Sequence, residues 1–304
     1  PPRPRIENLD QLPFPAFDKI DINRYKFIYT ITSRGCPYRC SFCYRTFFWG
    51  NKMAFRSMDN VIEEIKFLYE KCDKKKFSEI QINDDTFILN KKRVFEFCDK
   101  LKKEKIDINW SCNGRINLMN EQLMKKMSES GCDSILYGIE SGSDKILKKI
   151  NKDFSAKMAR EVIMKSKKYF PKIRTSFIWG FPFETIEDFK KTIELTEKVI
   201  FEWRIHANLL ILTPQIGTQI YNEYKNHVIP WSPSIPKMIL HGVYGPLKTL
   251  HIMCERDNIF EAFKNEPKIL LFYYRYKTPN FPQKLKIYER LIKKYNFYTD
   301  IVLI

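Results

Sequence analysis

Between residues 26 and 212, short apolar runs alternate with segments that are apolar on one face only. Short apolar runs bounded by turn residues predict buried strands, whereas apolar positions spaced three and four residues apart predict helices. The six predicted strands are 26–32, 79–85, 107–112, 134–139, 173–179 and 204–212. The predicted helices are 59–71, 91–104, 120–130, 143–150, 155–169 and 186–200. This alternation predicts a parallel sheet with right-handed helical crossovers.

Six strand–helix units predict an α/β fold, a partial (β/α)6 TIM-like barrel with a C-terminal α-rich extension, since a complete barrel has eight units. The chain divides by pattern into a proline-rich linker over 1–24, the barrel over 25–226 and the extension over 227–304. Helices are predicted in the extension at 256–264 and 284–295. We expect the aromatic-rich extension to cover the open side of the barrel and to select the substrate.

The loop after the first strand carries three cysteines, Cys36, Cys40 and Cys43, at CxxxCxxC spacing. Gly35 and Pro37 flank the first cysteine, which favours a loop over a helix. Cysteine thiolates are the usual ligands of a 4Fe–4S cluster, and three of them leave one iron open to a small molecule. The alternative is a structural zinc knuckle or free thiols. A closed zinc site takes four ligands, and no histidine lies within 160 residues of Cys43.

This loop resembles the signature of the radical S-adenosylmethionine enzymes, including the aromatic Phe42 before the last cysteine. The resemblance implies that the open iron chelates the amino and carboxylate groups of S-adenosylmethionine. One electron from the cluster then breaks the sulfonium C–S bond, giving methionine and a 5′-deoxyadenosyl radical that abstracts hydrogen from a substrate. The protein orients the cofactor and excludes water and oxygen. The resemblance also implies a reductant such as flavodoxin or ferredoxin, and it places Phe42 and Tyr44 at the cofactor.

Polar residues lie at the C-terminal ends of the second and third predicted strands, which is where the active sites of parallel α/β sheets are found. Asp84 and Asp85 end the second strand, and by the resemblance they hold the amino group of the cofactor's methionine portion. The alternative is that one of them merely caps the following turn. After the third strand, Arg115 presents a planar fork suited to the cofactor's carboxylate, and Asn113 is expected near its ribose.

The fourth and fifth predicted strands end in two further candidate segments. Glu140 and Ser141 end the fourth strand, and the resemblance places them near the ribose hydroxyls or the methionine end. A buried carboxylate is costly unless it is paired, which favours this interpretation over a purely structural Glu140. The segment 180–185 is similar to a turn of the family that has glycine in place of Phe183. The backbone at Gly180 is expected to contact the adenine, and no catalytic residue is identified.

Composition narrows the class of protein without naming a substrate. The formal net charge is +17, which suits binding to nucleic acid or to an anionic surface. Lysines on the polar faces of the predicted helices account for much of this charge, so nucleic-acid binding is not favoured. No run of 18 apolar residues predicts a membrane span. Eight cysteines beside an iron–sulfur motif favour a reducing cytoplasm. The cysteines without cluster spacing are predicted to be small buried residues: Cys72, Cys98, Cys112, Cys132 and Cys254.

Residues 9–18 are similar to the segment that joins a cobalamin-binding domain to the barrel in one branch of the family. That branch includes cobalamin-dependent radical methyltransferases and anaerobic magnesium-porphyrin ester cyclases. The resemblance implies a cobalamin domain upstream of residue 1, and methyl transfer or cyclisation on a small-molecule or peptide substrate. One alternative is a methylthiotransferase of transfer RNA, but the sequence lacks the second cysteine triad that such an enzyme carries. The others are a cobalamin-independent oxidase or rearrangement enzyme and a non-catalytic electron carrier.

Overall fold

The computed structural model describes residues 4–25, 27–73, 79–230 and 274–295. The strands in this part of the chain are β1 (Phe27–Thr30), β2 (Ser33–Arg34), β3 (Ala54–Phe55), β4 (Glu79–Ile82), β5 (Trp110–Gly114), β6 (Cys132–Glu140), β7 (Lys172–Trp179), β8 (His206–Ile211), β9 (Val228–Pro230) and β10 (Tyr274–Tyr276). The α-helices are α1 (Arg45–Trp49), α2 (Met58–Lys71), α3 (Lys91–Lys103), α4 (Glu121–Ser128), α5 (Asp144–Lys149), α6 (Ala156–Ser166), α7 (Ile186–Glu197), α8 (Gln219–Tyr224) and α9 (Phe281–Tyr295).

One six-stranded sheet contains the predicted strands in the spatial order β1-β4-β5-β6-β7-β8. The strands are parallel, and in the first pairs Ile28 lies opposite Ile80, which lies opposite Trp110. Sequential neighbours in a parallel sheet require a crossover between each pair of strands, which the helices provide. This arrangement confirms the predicted partial (β/α)6 barrel.

Local sequence signals account for where several helices begin and end. Helix α3 begins after Asn90, whose side chain accepts a hydrogen bond from the Arg93 amide. Helix α7 begins with a reciprocal capping box between Thr185 and Asp188, as their spacing predicts. The turn after α4 contains Gly131 at φ +91°, where a Cβ atom would lie 2.6 Å from a backbone oxygen.

The described chain forms two compact units. The first comprises the described residues within 1–39, 45–138 and 157–175, and the second comprises those within 40–44, 139–156 and 176–304. The core of the first unit includes an edge-to-face cluster of three aromatic rings with centroids 5.2–5.8 Å apart: Phe87, Phe97 and Trp110. The core of the second unit is built around Trp179, whose ring lies 5.1–5.8 Å from three others: Phe189, Phe281 and Tyr288.

Some element boundaries differ from those predicted. Strand β5 begins and ends later than the predicted 107–112, so that Asn113 lies inside the strand. The predicted linker contains three short 3-10 turns with buried Leu9, Phe17 and Ile22, because these apolar side chains can pack even without a helical or strand period. The helix predicted at 284–295 lies within α9.

The predicted helix at 256–264 and Cys254 lie outside the described residues. Within the described part of the chain, no helix has the length and apolar character needed to cross a membrane.

Candidate functional site

Asp84 anchors the chain segment that leads from β1 into the cysteine loop. Its Oδ1 atom accepts hydrogen bonds from the backbone amides of Thr32 at 2.6 Å and Ser33 at 3.1 Å. Its Oδ2 atom accepts from the two hydroxyl groups of the same residues, each at 2.6 Å. The side chain is buried, which raises the pKa of Asp84, and the four hydrogen bonds oppose that shift. Protein donors therefore engage both carboxylate oxygens.

Asp85 and Thr86 contact the cysteine loop itself. The Gly35 amide donates to Asp85 Oδ2 at 3.1 Å, and the guanidinium of Arg45 forms an ion pair with Oδ1. The Thr86 hydroxyl donates to the Asp85 carbonyl at 2.7 Å and lies 3.2 Å from Cys36 Sγ. The segment that follows β4 thus braces the loop at its first cysteine. The predicted contact of Asp84 and Asp85 with the cofactor's amino group stays a prediction.

Arg115 lies over an aromatic ring of the cysteine loop. Its guanidinium carbon is 3.7 Å from the centroid of the Tyr38 ring, and its Nε donates to Asn117 Oδ1 at 2.9 Å. Stacking on an aromatic face suits the planar guanidinium and leaves its edges for hydrogen bonds. Asn113 Nδ2 donates to the Asp84 carbonyl at 3.4 Å. The two residues predicted at this strand end are therefore both linked to residues around the loop.

The second part of the cysteine loop, residues 40–44, belongs to the second unit. The Cys40 thiol donates to the Asn151 carbonyl at 3.7 Å. The Ser41 amide donates to the Ile150 carbonyl at 3.2 Å, and the Ser41 carbonyl accepts from the Ile220 amide at 3.0 Å. Backbone hydrogen bonds therefore hold this part of the loop in place.

Glu140 ends β6 in the left-handed region at φ +69°, a strained conformation for a residue other than glycine. Its carboxylate accepts a hydrogen bond from Lys152 Nζ at 3.1 Å, and both side chains are buried. The Lys152 ammonium also lies 5.9 Å from the Phe42 ring centroid and 5.6 Å from that of Phe154. Sequence reasoning missed Lys152; as a lysine between apolar Ile150 and Phe154, it gave only a weak signal.

Ser141 is completely buried and contacts Thr192 in the middle of α7. Its hydroxyl lies 2.9 Å from the Thr192 hydroxyl and accepts from the Ser143 amide at 3.1 Å. Ser143 in turn donates to Asp188 Oδ1 at 2.7 Å. Tyr44, by contrast, is exposed. The predicted roles of Ser141 and Tyr44 at the cofactor stay predictions.

Gly180 begins the turn after β7 at φ +87°, where a Cβ atom would lie 3.0 Å from Ile211 Cγ1. Its amide donates to Glu184 Oε2 at 2.9 Å. Glu184 also forms a buried ion pair with Lys284 of α9, with Nζ 3.0 Å from Oε2. Sequence reasoning missed Lys284. The available signal was a lysine at helical spacing from apolar Phe281 and Tyr288.

The cysteines fall into two groups that differ in exposure. Cys36, Cys40 and Cys43 are half-buried thiols. The remaining described cysteines are buried, as predicted: Cys72, Cys98, Cys112 and Cys132. Burial raises the pKa of Cys98 to about 11 and raises that of Cys72 and Cys132. The loop cysteines are therefore the more accessible ones, as the prediction that they bind metal requires.

The donor set fits an iron–sulfur cluster better than a single zinc ion. A closed zinc site takes four ligands, whereas the loop supplies three cysteines and no histidine lies within 160 residues of Cys43. In a 4Fe–4S cluster each cysteine thiolate binds a separate iron. Three reachable thiols in one loop match that requirement, while the fourth iron has no cysteine nearby in sequence.

Known proteins resemble this chain in sequence. It is 37% identical over 229 residues to an uncharacterized methyltransferase of Pyrococcus horikoshii, covering 74% of the chain and 48% of the relative. It is 28% identical over 238 residues to the cytidylyl-2-hydroxyethylphosphonate methyltransferase of Streptomyces wedmorensis, covering 71% of the chain and 43% of the relative. The chain thus spans about half the length of these curated relatives.

The fold also matches a solved structure, the radical S-adenosylmethionine methyltransferase TsrM from Kitasatospora setae with cobalamin and a [4Fe-4S] cluster bound. The TM-score is 0.60 at 14% identity, over 70% of this chain and 44% of that one. At this identity the match concerns the fold alone. Residues 30–196, more than half of the chain, match the family model of the Radical SAM superfamily. That match, together with the cysteine loop and the six-stranded sheet, establishes that the chain belongs to the radical SAM superfamily and is a radical SAM enzyme.

Proposed function

We propose that this chain is the radical SAM part of a methyltransferase that binds a single 4Fe–4S cluster through Cys36, Cys40 and Cys43. The observation that carries the proposal is the set of three half-buried thiols in one loop, all other described cysteines being buried. Held by these three cysteines, the cluster would supply the electron for reductive cleavage of S-adenosylmethionine, the source of the radical that would abstract a substrate hydrogen. The protein residues bind and orient the cluster and S-adenosylmethionine.

Each candidate residue takes a separate role in this proposal. Arg115 binds the cofactor's carboxylate, because its stacking on Tyr38 fixes the plane of the guanidinium. Asn113 contacts the ribose. Asp84 and Asp85 serve the methionine end mainly by holding the loop backbone, since their oxygens are already engaged by protein donors.

In the second unit, the proposed roles follow from burial and pairing. Phe42 and Tyr44 line the cofactor site beside the last cysteine. Lys152 neutralises Glu140, so the pair presents a polar group without a net charge next to the Phe42 ring. Ser141 supports that strand end, and the Gly180 backbone contacts the adenine.

Cysteine substitutions test the cluster. Anaerobic reconstitution should give about four irons per wild-type chain, and Cys40→Ala should lose most of the cluster absorbance. The matched control is Cys72→Ala, which removes a buried thiol outside the loop and should retain the iron. A protein with Cys36, Cys40 and Cys43 all changed to Ala that still holds wild-type iron would refute the cluster assignment.

The methyl-transfer part of the proposal draws on the names of the relatives and on the cobalamin bound by the TsrM structure. We propose that cobalamin, bound by a domain outside residues 1–304, takes part in the reaction, and that the reductant is a flavodoxin or ferredoxin. The test is the absorbance spectrum of the anaerobically purified full-length protein after addition of hydroxocobalamin and desalting. Near-stoichiometric corrinoid bands support methyl transfer or cyclisation. An intact cluster without corrinoid would indicate a cobalamin-independent radical enzyme.

A further inference from the structure

Lys284 and Glu184 form an ion pair in which both side chains are fully buried. The Lys284 ammonium donates to Glu184 Oε2 at 3.0 Å, to the Glu184 carbonyl at 2.6 Å and to Thr278 Oγ1 at 3.0 Å. An ammonium group has three donors, so all of them are used within this cluster. Paired and hydrogen-bonded in this way, a buried lysine becomes tolerable.

The ion pair acts on the turn after β7. Glu184 Oε2 accepts from both the Lys284 ammonium and the Gly180 amide. The Thr278 hydroxyl, which accepts from Lys284, donates to the Phe181 carbonyl at 2.9 Å. Two chains of hydrogen bonds therefore run from one ammonium group to the backbone of the same turn. They fix the orientation of the peptide groups at Gly180 and Phe181.

Attachment of α9 alone does not explain this arrangement. The helix is already held by apolar packing, because Phe281 stacks on Trp179 with centroids 5.8 Å apart and Tyr288 lies 5.2 Å from the same ring. The Tyr288 hydroxyl also donates to the Leu209 carbonyl at 3.4 Å. Apolar side chains would hold the helix at lower desolvation cost than a buried lysine. What the ion pair adds is the contact with the turn.

We propose that Lys284 is a positioning residue for the adenine end of S-adenosylmethionine, acting through Glu184 and Thr278 on the backbone of the turn at Gly180. The inference rests on the proposed function, in which the Gly180 backbone contacts the adenine. Lys284 does not touch the cofactor. It fixes the backbone groups that do.

Hydrogen exchange tests the structural link without any cofactor. In the metal-free protein, Lys284→Met should speed deuterium uptake at least several-fold in the peptide that contains Gly180 and Phe181, while the peptides of β5 stay unchanged. The matched control is Lys286→Met, which removes an exposed lysine from the same helix and should leave both regions unchanged. Wild-type exchange at the turn in Lys284→Met would overturn the inference.

Ligand binding to the reconstituted protein tests the functional link. Free methionine carries the amino and carboxylate groups but has no adenine. Lys284→Met should therefore weaken S-adenosylmethionine binding about tenfold, the loss of roughly one hydrogen-bonded contact, and change methionine binding less than twofold. Equal weakening of both ligands, or of neither, would overturn the inference. If the wild-type protein binds no S-adenosylmethionine, the proposed function itself fails, whatever the exchange result.

A second variant covers the case in which Lys284→Met does not fold because it leaves Glu184 buried without its counter-ion. The double substitution Glu184→Leu with Lys284→Met removes both charges, and an apolar replacement of a buried ion pair is usually tolerated. It should fold and show the same selective loss of S-adenosylmethionine binding, since the Gly180 amide has lost its acceptor. Wild-type affinity for S-adenosylmethionine in the folded double variant would refute the role of Lys284.

Discussion

Asp84 and Glu184 are both buried carboxylates that follow strands of the sheet, but the protein stabilises them in different ways. Asp84 accepts four hydrogen bonds from neutral groups of Thr32 and Ser33. Glu184 is paired with the Lys284 ammonium, 100 residues later in the chain. The first arrangement is built within the barrel, whereas the second makes a barrel turn depend on α9. The comparison teaches that similar strand-end carboxylates need not have the same role.

The two arrangements also differ in which buried groups lose their partners when a side chain is substituted. Loss of the Asp84 carboxylate leaves two buried backbone amides without an acceptor, and the hydroxyl groups can turn to find others. Loss of Lys284 leaves a buried charge. Burial raises the pKa of Glu184 and lowers that of Lys284, and their mutual attraction opposes both shifts. Since each charge offsets part of the other's cost of burial, Glu184 and Lys284 are expected to act as a unit.

The largest effect on stability is expected from Asp84→Ala. Each unsatisfied buried donor costs about 1–3 kcal/mol, so we expect a loss on the order of 4 kcal/mol in the free energy of unfolding of the metal-free protein, measured with urea. Iron content after reconstitution should fall as well. The control is Asn83→Ala at the exposed neighbouring position, which should change the free energy little. A loss below about 1 kcal/mol for Asp84→Ala would show that the four hydrogen bonds contribute little.

A smaller loss in the free energy of unfolding is expected from Asp85, whose carboxylate is paired with residues of the cysteine loop. Asp85→Ala removes the acceptor of the Gly35 amide and the partner of Arg45, and we expect a loss of about 1–2 kcal/mol together with faster iron loss to a chelator. Arg45→Ala and the double variant complete a double-mutant cycle. The coupling energy should be about 1 kcal/mol. Additive effects of the two substitutions would mean that the pair does not act as a unit.

The sequence predicted the six strands and the positions of the carboxylates because strand ends follow from apolar periodicity. It could not identify their partners. Lys284 was not singled out, since only the three-dimensional position of Glu184 makes an inward lysine favourable. The contacts of Asp84 with Thr32 were equally hidden, because periodicity shows which residues share a sheet edge but not which of them bond.

The misplaced end of β5 has a different physical cause. Asn113 and Gly114 are typical turn residues, so the strand was predicted to end at Cys112. In the structure they pair with Leu136 and Tyr137 of β6, and a Cβ atom on Gly114 would lie 2.8 Å from side-chain atoms of Ile135 and Tyr137. Glycine is required there by close packing against β6 rather than by a turn, and single-sequence patterns do not distinguish the two reasons.

Asp188 is a third buried carboxylate and gives the smallest expected effect. Its burial raises the pKa of Asp188, but hydrogen bonds from Ser143 and Thr185, together with the Lys145 ammonium 3.6 Å away, outweigh burial and hold the pKa below its usual value. For Asp84, with similar neutral donors, burial prevails instead. Because the folded pKa of Asp188 lies below the unfolded value of about 3.9, its contribution is present above that pH and is lost as the pH falls through the folded pKa.

Asp188→Asn should therefore lower the free energy of unfolding by about 1 kcal/mol near pH 7, the typical value of a helix cap, and the difference from wild type should shrink below about pH 4. Urea unfolding of the metal-free protein at several pH values measures this difference. Glu187→Gln, an exposed acid in the same first turn of α7, is the matched control and should show a smaller difference at every pH. If the difference in the free energy of unfolding between Asp188→Asn and wild type stays constant down to pH 3, the shape of the side chain and not its charge accounts for its contribution. Asp188 would then differ from Asp84 and Glu184 in how it stabilises the fold.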